Sequence, residues 1–385
     1  MAHMPVIAML GGGQLGRMFL ENALRYDVHV HVLDPDPDAP CARIAGRFVT
    51  GHFNDHDTVM AFAKDADVVG IEIEHVSLSA LDALKAAGKR VIPDPDALRT
   101  INDKGLQKQF YKDHDIPTTD FRLIEDRDGL RQEDIVYPAF LKARTGGYDG
   151  KGVMALRSPN DIGKAFDGPY VVEAQAPIAK ELAVIGVRDV HGRSALFPLV
   201  EMVFDPELNL VDHLIAPARL RPEEAEAALS TASKVMEALG SPGVFAVELF
   251  LLEDGRVLVN ETAPRAHNSG HFSIEACPSS QFDQLLRIMM GWPLGATDMK
   301  GHAAMVNLVG EQGSGAVAVD GLDELLRLPD AFFHLYGKKE TRSGRKMGHV
   351  TLLGAETAML ERAIAEVKQK VRIRPQRTTV QGTAG

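Results

Sequence analysis

The sequence predicts an α/β protein, shading into α+β, with an N-terminal parallel sheet and more than one domain. Three observations predict it. From residue 6 to about residue 87, short apolar runs alternate with amphipathic helical stretches, the pattern of a parallel sheet with helices on both faces. The 385 residues exceed what one hydrophobic core usually serves. Later in the chain, two apolar runs flank Asp254-Gly255, a strong signal for an antiparallel hairpin.

Composition narrows the function classes. Hydrophobic residues make up 45% and charged residues 25%, as in ordinary soluble proteins. A net charge of -11 argues against a general nucleic-acid or anionic-membrane surface. An anionic ligand must therefore meet a local basic cluster. Cys41 and Cys277 are the only cysteines, so no disulfide framework exists and a reducing compartment is expected. No apolar run is long enough to span a bilayer. The start lacks a signal-peptide pattern, and residues 1–4 read as a cloning scar. The expectation is a cytoplasmic protein with neither nucleic-acid nor membrane partners.

Taken in order, residues 6–10 read as a strand, followed by Gly11-Gly12-Gly13-Gln14-Leu15-Gly16 and a helix through Ala23. This is G-x-G-x-x-G between strand and helix, and the strand at 28–33 ends at Asp34, near the offset of a ribose-binding acid. Alone it says NAD-dependent oxidoreductase; the alternative is a glycine turn that packs a helix closely on its strand. Residues 55–64 and 77–87 read as helices, and 67–73 as a strand ending with Glu72 and Glu74. Two residues apart, those carboxylates are expected on one face at the carboxyl end of the sheet, where α/β proteins bind ligands. An acidic solvent-exposed edge is the other reading.

Pro93-Asp94-Pro95-Asp96 marks a boundary, and one helix is expected over 97–114, carrying Arg99 and Lys104. Strands at 121–124, 139–142 and 153–156 surround a second glycine-rich loop, Lys142 to Gly152. It lacks the Walker pattern and joins two strands. Its glycines free backbone amides to approach phosphate oxygens, and Lys142 could reach the same group. Residues 170–173 form a strand, followed by the connector Ala174-Gln175-Ala176-Pro177, bracketed by Glu173 and Glu181. Further strands are expected at 182–187 and 195–204, and a helix at 222–239 ending at Gly240.

The hairpin carries the sharpest inference. If Asp254 and Gly255 are the two central turn residues, Glu253 faces Arg256, and five steps back Glu248 faces Glu261. Like charges directly opposed on a sheet repel. A divalent cation with hard oxygen ligands would resolve that; two unrelated carboxylates on a solvated face would not need one. The segment after Glu261 crowds Arg265, His267, Asn268, Ser269 and His271 around Pro264 and Gly270, a plausible ligand-binding loop. A helix at 279–290 follows, and 310–321 reads as glycine-rich linker. In the tail, five basic residues, including Lys338 and Arg345, suit one phosphate monoester, although solvated basic hairpins are also common. A final helix is expected over 355–371.

Three motifs, Arg144 to Gly152, Asn260 to His271 and Gly344 to His349, together with the first glycine turn, resemble the ATP-grasp superfamily. Within it the chain resembles the 5-(carboxyamino)imidazole ribonucleotide synthase family. The resemblance implies an ATP-grasp fold: an N-terminal Rossmann-like domain over 1–100, an ATP-grasp domain over 101–299 and a small C-terminal mixed-sheet domain over 300–385. A lid would span about 116–176 and the metal-binding part about 177–299. It implies a homodimeric ligase that carboxylates aminoimidazole ribonucleotide with bicarbonate, using ATP and magnesium, with manganese as a substitute. By position ATP would be held by Arg99, Lys142, Gly147, Tyr148, Asp149, Gly150, Lys151, Gly152, Glu173, Ala174, Gln175, Ala176, Glu181, Asn260 and Glu261. Glu248 and Glu261 would hold the metal. The ribonucleotide would meet Glu72 or Glu74, Tyr148, Asp149, Arg265, His267, Asn268, Lys338 and Arg345. Asp149, His267, Arg265 and Lys142 would be catalytic, with Asp149 or His267 taking the amine proton. One departure stands out: some members have an ATP-contacting histidine near the position of Phe204. Rival expectations are another ATP-grasp carboxylate-amine ligase, a non-catalytic ATP-binding regulator and the NAD-dependent oxidoreductase.

Overall fold

The computed structural model describes residues 4–147, 152–208 and 210–376. Its first unit is a five-stranded parallel sheet in the order Arg47–Thr50, Val30–Asp34, Ile7–Leu10, Val68–Ile71, Arg90–Ile92. Ile7–Leu10 is buried on both faces, as a central parallel strand must be. The two edge strands escaped the sequence reading because each is short and opens with arginine. The expected strand over 67–73 ends at Ile71. Glu72 and Glu74 are therefore outside the strand, and the alternation argument that put them on one face fails.

The single helix expected over 97–114 is two, Pro95–Asn102 and Lys104–Asp113. Asp103 breaks it: its backbone is extended, and its Oδ1 accepts from the amides of Gly105 (2.7 Å) and Leu106 (3.1 Å). An N-cap at this position restarts the helix with a new phase.

Residues 121–174 build a four-stranded antiparallel sheet in the order Phe121–Ile124, Tyr170–Ala174, Ala139–Ala143, Val153–Leu156. The glycine-rich loop joins its last two strands, as expected, and Ala143 donates to the Gly152 carbonyl at 2.8 Å. Tyr148, Asp149, Gly150 and Lys151 lie outside the described residues.

A nine-stranded sheet forms the body. It runs Val257–Ala263, Gly243–Leu252, Ile178–Arg188, Val200–Asp205, Leu210–Ala216, His302–Val309, Lys346–Gly354, Ala331–Leu335, with Ser194–Leu196 beside Ile178–Arg188. The strand expected over 195–204 is split around Pro198, which has no N–H to offer a ladder. The sheet crosses the expected cut at residue 300, because His213 pairs with Val306. The expected linker over 310–321 contains a strand, Ser314–Asp320, paired with Glu340–Arg342 and Arg372–Pro375. Its glycines masked the alternation of Val317 and Val319.

Helices Gln14–Arg25 and Gln281–Met290 pack together and tie the first unit to the body. Met9, Phe19, Ala246, Phe282 and Met289 share one apolar core. The glycine turn is thereby fixed next to the segment that follows the hairpin. Among the described residues no helix is long and apolar enough to cross a membrane.

Candidate active site

One cleft of about 630 Å³ lies where these units meet, lined among others by Glu74, Lys104, Glu248, Glu261, Arg265 and Lys346. The hairpin supplies its floor. Glu248 stands directly opposite Glu261, as the sequence predicts, but by a different route. The turn has three residues, not two: Gly255 donates to the Leu252 carbonyl at 3.0 Å, Leu252 pairs with Arg256, and Gly255 has φ +85°. That shifts the register by one. A bulge at Asn260, between Leu249–Val259 and Glu248–Glu261, shifts it back. It also delivers Asn260 to the site beside Glu261. Lys142 Nζ donates to Asn260 Oδ1 at 3.1 Å, and Asn260 Nδ2 lies 3.4 Å from Glu248 Oε2.

The two carboxylates are not equally compensated. Glu261 forms an ion pair with Lys104. Burial would raise its carboxyl, but Lys104 outweighs that and holds it below the ordinary range. Among the described residues Glu248 has no lysine or arginine ion pair; burial and the facing Glu261 push it above that range, against the opposing pull of Lys104 and Lys346. His267 Nε2 lies 3.6 Å from Glu248 Oε1.

Beneath this floor is a buried charge cluster. Glu173, 3% exposed, accepts from Lys142 (2.9 Å), Lys108 (3.1 Å) and Thr119 (2.5 Å). Burial would raise its carboxyl; the two lysines prevail and hold it at about 2. Burial lowers Lys108 to about 8. Glu173 therefore aims Lys142. Burial raises Glu181 despite Lys142. In the connector, Ala174 and Gln175 donate their amides to Asp120 (3.1 Å) and Pro138 (3.2 Å), which fixes its path.

At the other end Arg265 grips Glu74 with two bonds, of 2.5 Å and 3.0 Å. Burial opposes ionisation of Glu74, but Arg265 holds it at about 2. His267 Nδ1 accepts from the Ser269 amide (3.3 Å) and meets the Ser269 hydroxyl at 2.9 Å. Burial, then Arg265 and Lys346, lower this imidazole to about 3, so it is neutral with its hydrogen on Nε2. Asn268 is buried and paired with Asn307. Lys346 lines the cleft, and its carbonyl accepts from Lys338 at 2.7 Å. Arg345 donates to the Glu340 carbonyl at 2.7 Å and does not itself line the cleft.

The first glycine turn is filled from within. A Cβ on Gly13 would come within 2.5 Å of Glu72 Oε1, and one on Gly11 within 2.7 Å of Oε2. The Leu15 amide donates to Glu72 at 3.1 Å. Glu72 thus takes the anion position at the helix N-terminus that a pyrophosphate would need. Asp34 accepts from the Gly12 amide at 2.7 Å. The choice left open between Glu72 and Glu74 resolves by placement: Glu74 lines the cleft, whereas Glu72 is turned into the glycine turn.

Arg99 is a second correction. It lies outside the cleft lining, half-exposed and paired with Asp82 (2.8 Å) and Asp96 (2.6 Å). Lys104 occupies the position facing the carboxylates instead. Sequence reasoning also missed Gln107, Lys108 and Tyr111. With Lys104 they form an i, i+3, i+4, i+7 stripe, a helical face recognisable once the helix is started at Asp103. Gln107 and Tyr111 grip Thr262, next to Glu261. Phe204 lines the cleft. Gly147 does so too.

The chain matches three family descriptions in succession: Ribonucleotide synthetase preATP-grasp domain (residues 4–102), ATP-grasp domain (109–282) and Phosphoribosylaminoimidazole carboxylase C-terminal domain (303–363). It is 37% identical to the N5-carboxyaminoimidazole ribonucleotide synthase of Brucella melitensis, over 91% of this chain and 97% of that protein. It is 36% identical to the chloroplastic phosphoribosylaminoimidazole carboxylase of Vigna aconitifolia, over 94% of this chain but only 66% of that longer protein. Among solved structures, an N5-carboxyaminoimidazole synthase from Aspergillus clavatus in complex with ADP and 5-aminoimidazole ribonucleotide superposes with a TM-score of 0.87. It is 34% identical, over 96% of this chain and 99% of that one. The chain therefore belongs to the N5-carboxyaminoimidazole ribonucleotide synthase family of ATP-grasp ligases.

Proposed function

We propose that this chain uses ATP to carboxylate 5-aminoimidazole ribonucleotide with bicarbonate, giving the N5-carboxy product, ADP and phosphate. One observation carries the reading. A single cleft has an opposed carboxylate pair with Lys104 and Lys142 at one end, and Arg265, His267, Asn268 and Lys346 at the other. The first set suits a metal-bound triphosphate, the second a phosphorylated amine. The Aspergillus clavatus relative, complexed with ADP and the ribonucleotide, supports both halves.

The donor set fits magnesium: two hard carboxylates, Glu248 and Glu261, with Glu248 making no lysine or arginine ion pair among the described residues. Two protein carboxylates are the usual share when substrate phosphates complete the shell. When bound, the metal would neutralise charge developing on the transferred phosphoryl group. Lys142, aimed by Glu173, would spread the same charge and help convert bicarbonate to carboxyphosphate. The loop from Arg144 to Gly152 would cover this short-lived anhydride and exclude water. Glu74 holds Arg265 against the ribonucleotide side. His267 acts in our reading as a donor rather than as the base, because Nδ1 is already engaged by the Ser269 amide. Removal of the amine proton falls to Asp149. Lys338 and Arg345 would take the phosphate with Lys346. The active form would be a homodimer, which sedimentation can check.

The test is an ADP-release assay in bicarbonate-depleted buffer with single add-backs. Release should require magnesium and rise strongly with bicarbonate plus the ribonucleotide. Formate should not replace bicarbonate, and NAD should have no effect because Glu72 fills the dinucleotide turn. Nucleotide binding without turnover would leave a regulator, and release indifferent to both substrates would overturn the assignment.

A further inference from the structure

Asn268 faces the cleft, and both ends of its amide are tied to one buried partner. Its Nδ2 donates to Asn307 Oδ1 at 2.8 Å, and Asn307 Nδ2 donates back to Asn268 Oδ1 at 3.0 Å. A reciprocal amide pair is symmetric. Turning both amides over together would preserve its two bonds, so the pair alone does not fix which end is donor and which acceptor. A third contact removes the ambiguity. Asn307 Nδ2 also donates to the Val211 carbonyl at 2.7 Å. In the flipped arrangement Asn307 Oδ1 would face that carbonyl, oxygen against oxygen, in a site 7% exposed. A carbonyl on the strand Leu210–Ala216 therefore sets the polarity of a side chain on the segment after the hairpin, through a residue on His302–Val309.

We infer that Asn307 is a positioning residue. It fixes the amide of Asn268 so that one hydrogen of Nδ2 and one lone pair of Oδ1, in a set orientation, remain for the ribonucleotide. Asn307 does not line the cleft and acts only through Asn268. This rests on the proposed ribonucleotide site. No motif around residue 307 marks it in the sequence; the strand reads simply as apolar with one asparagine.

A double-mutant cycle with Asn268→Ala and Asn307→Leu tests it, reading KM separately for the ribonucleotide and for ATP. Leucine keeps the branched heavy-atom outline and removes both bonds. Alone, Asn307→Leu should raise the ribonucleotide KM by about tenfold, the scale of one misaligned buried hydrogen-bonding group, with the ATP KM changed less than about twofold. In the Asn268→Ala background the same substitution should add less than about twofold, because its route is already gone. Equal effects in both backgrounds, equal shifts in the two KM values, or no shift would overturn the inference. Should the leucine variant fail to fold, Asn307→Asp carries the same cycle: its second oxygen has no hydrogen to give Val211 or Asn268. A wild-type enzyme that ignores the ribonucleotide would instead refute the proposed function, and the two failures are distinguishable.

Discussion

Two pairs of glutamates lie in or beside this cleft, and their surroundings differ. Glu72 and Glu74 each have their own compensation: the first, backbone amides at a helix N-terminus; the second, the guanidinium of Arg265. Glu248 and Glu261 face one another across a sheet and share one lysine. The first pair is held by local contacts and stabilises structure, although burial still raises the Glu72 carboxyl above its ordinary range. Among the described residues the second has one lysine ion pair for its two carboxylates, in a place the sequence could have filled with a second lysine. An uncompensated charge inside a well-packed fold is the better guide to a cation site than the number of carboxylates. Among the described residues no cluster of three metal-ligating side chains occurs at all.

The largest test of this contrast neutralises the opposed pair. Glu248→Gln or Glu261→Gln should lower turnover by about 10³-fold, the scale of several kcal/mol of lost charge stabilisation, while in Glu248→Gln, which breaks no lysine ion pair, the melting temperature holds or rises as repulsion is removed. Near-native turnover in both variants would remove the metal assignment. In the compensated pair the response should be inverted towards stability. Glu74→Gln removes the carboxylate that grips Arg265 with two bonds and should cost about 2–4 kcal/mol of folding stability, below the range for a fully buried pair because both side chains retain some exposure. Its pH dependence follows by linkage. Glu74 is held at about 2 against an ordinary 4.5, so its contribution is full above the unfolded value and is lost as pH falls towards about 2. Denaturation series between those limits should be flatter in Glu74→Gln than in wild type.

A smaller effect belongs to the cations. Among the described residues the Arg345 guanidinium donates only to the Glu340 carbonyl, so its charge is available to a phosphate; Arg345→Ala should raise the ribonucleotide KM by about tenfold and leave ATP unaffected. Equal weakening of ATP would move the basic cluster to the nucleotide site. The smallest effect is expected at Arg99, whose surface pairs are locally complete. Arg99→Ala should change stability by less than about 1 kcal/mol and both KM values by less than about twofold, measured by melts and initial rates.

The helix missed at Asp103 explains one error in reading the site. A continuous helix made Arg99 and Lys104 equivalent candidates, and only the cap separates the exposed arginine from the lysine that meets Glu261. The parallel sheet, the hairpin around the second glycine-rich loop and the loop after Glu261 were legible because their signals are local. Lys108 under Glu173, Asn307 behind Asn268 and the sheet continuing past residue 300 were not, since each depends on partners far apart in the chain. Glu248 opposite Glu261 was legible for a partly accidental reason: the error in turn length and the unforeseen bulge cancel.

That cancellation has a consequence for insertions and deletions. On the turn side of the bulge, paired residue numbers sum to 508, as in Leu249 with Val259; on the far side they sum to 509, as in Glu248 with Glu261. Removing Asn260 alone would make the two halves continuous and leave every pairing, including the opposed glutamates, in place. Asn260 is thus a spliced-in residue that brings a carboxamide to Lys142 without altering the ladder around it. Deleting it is register-neutral, because the residues on either side then pair in one continuous series.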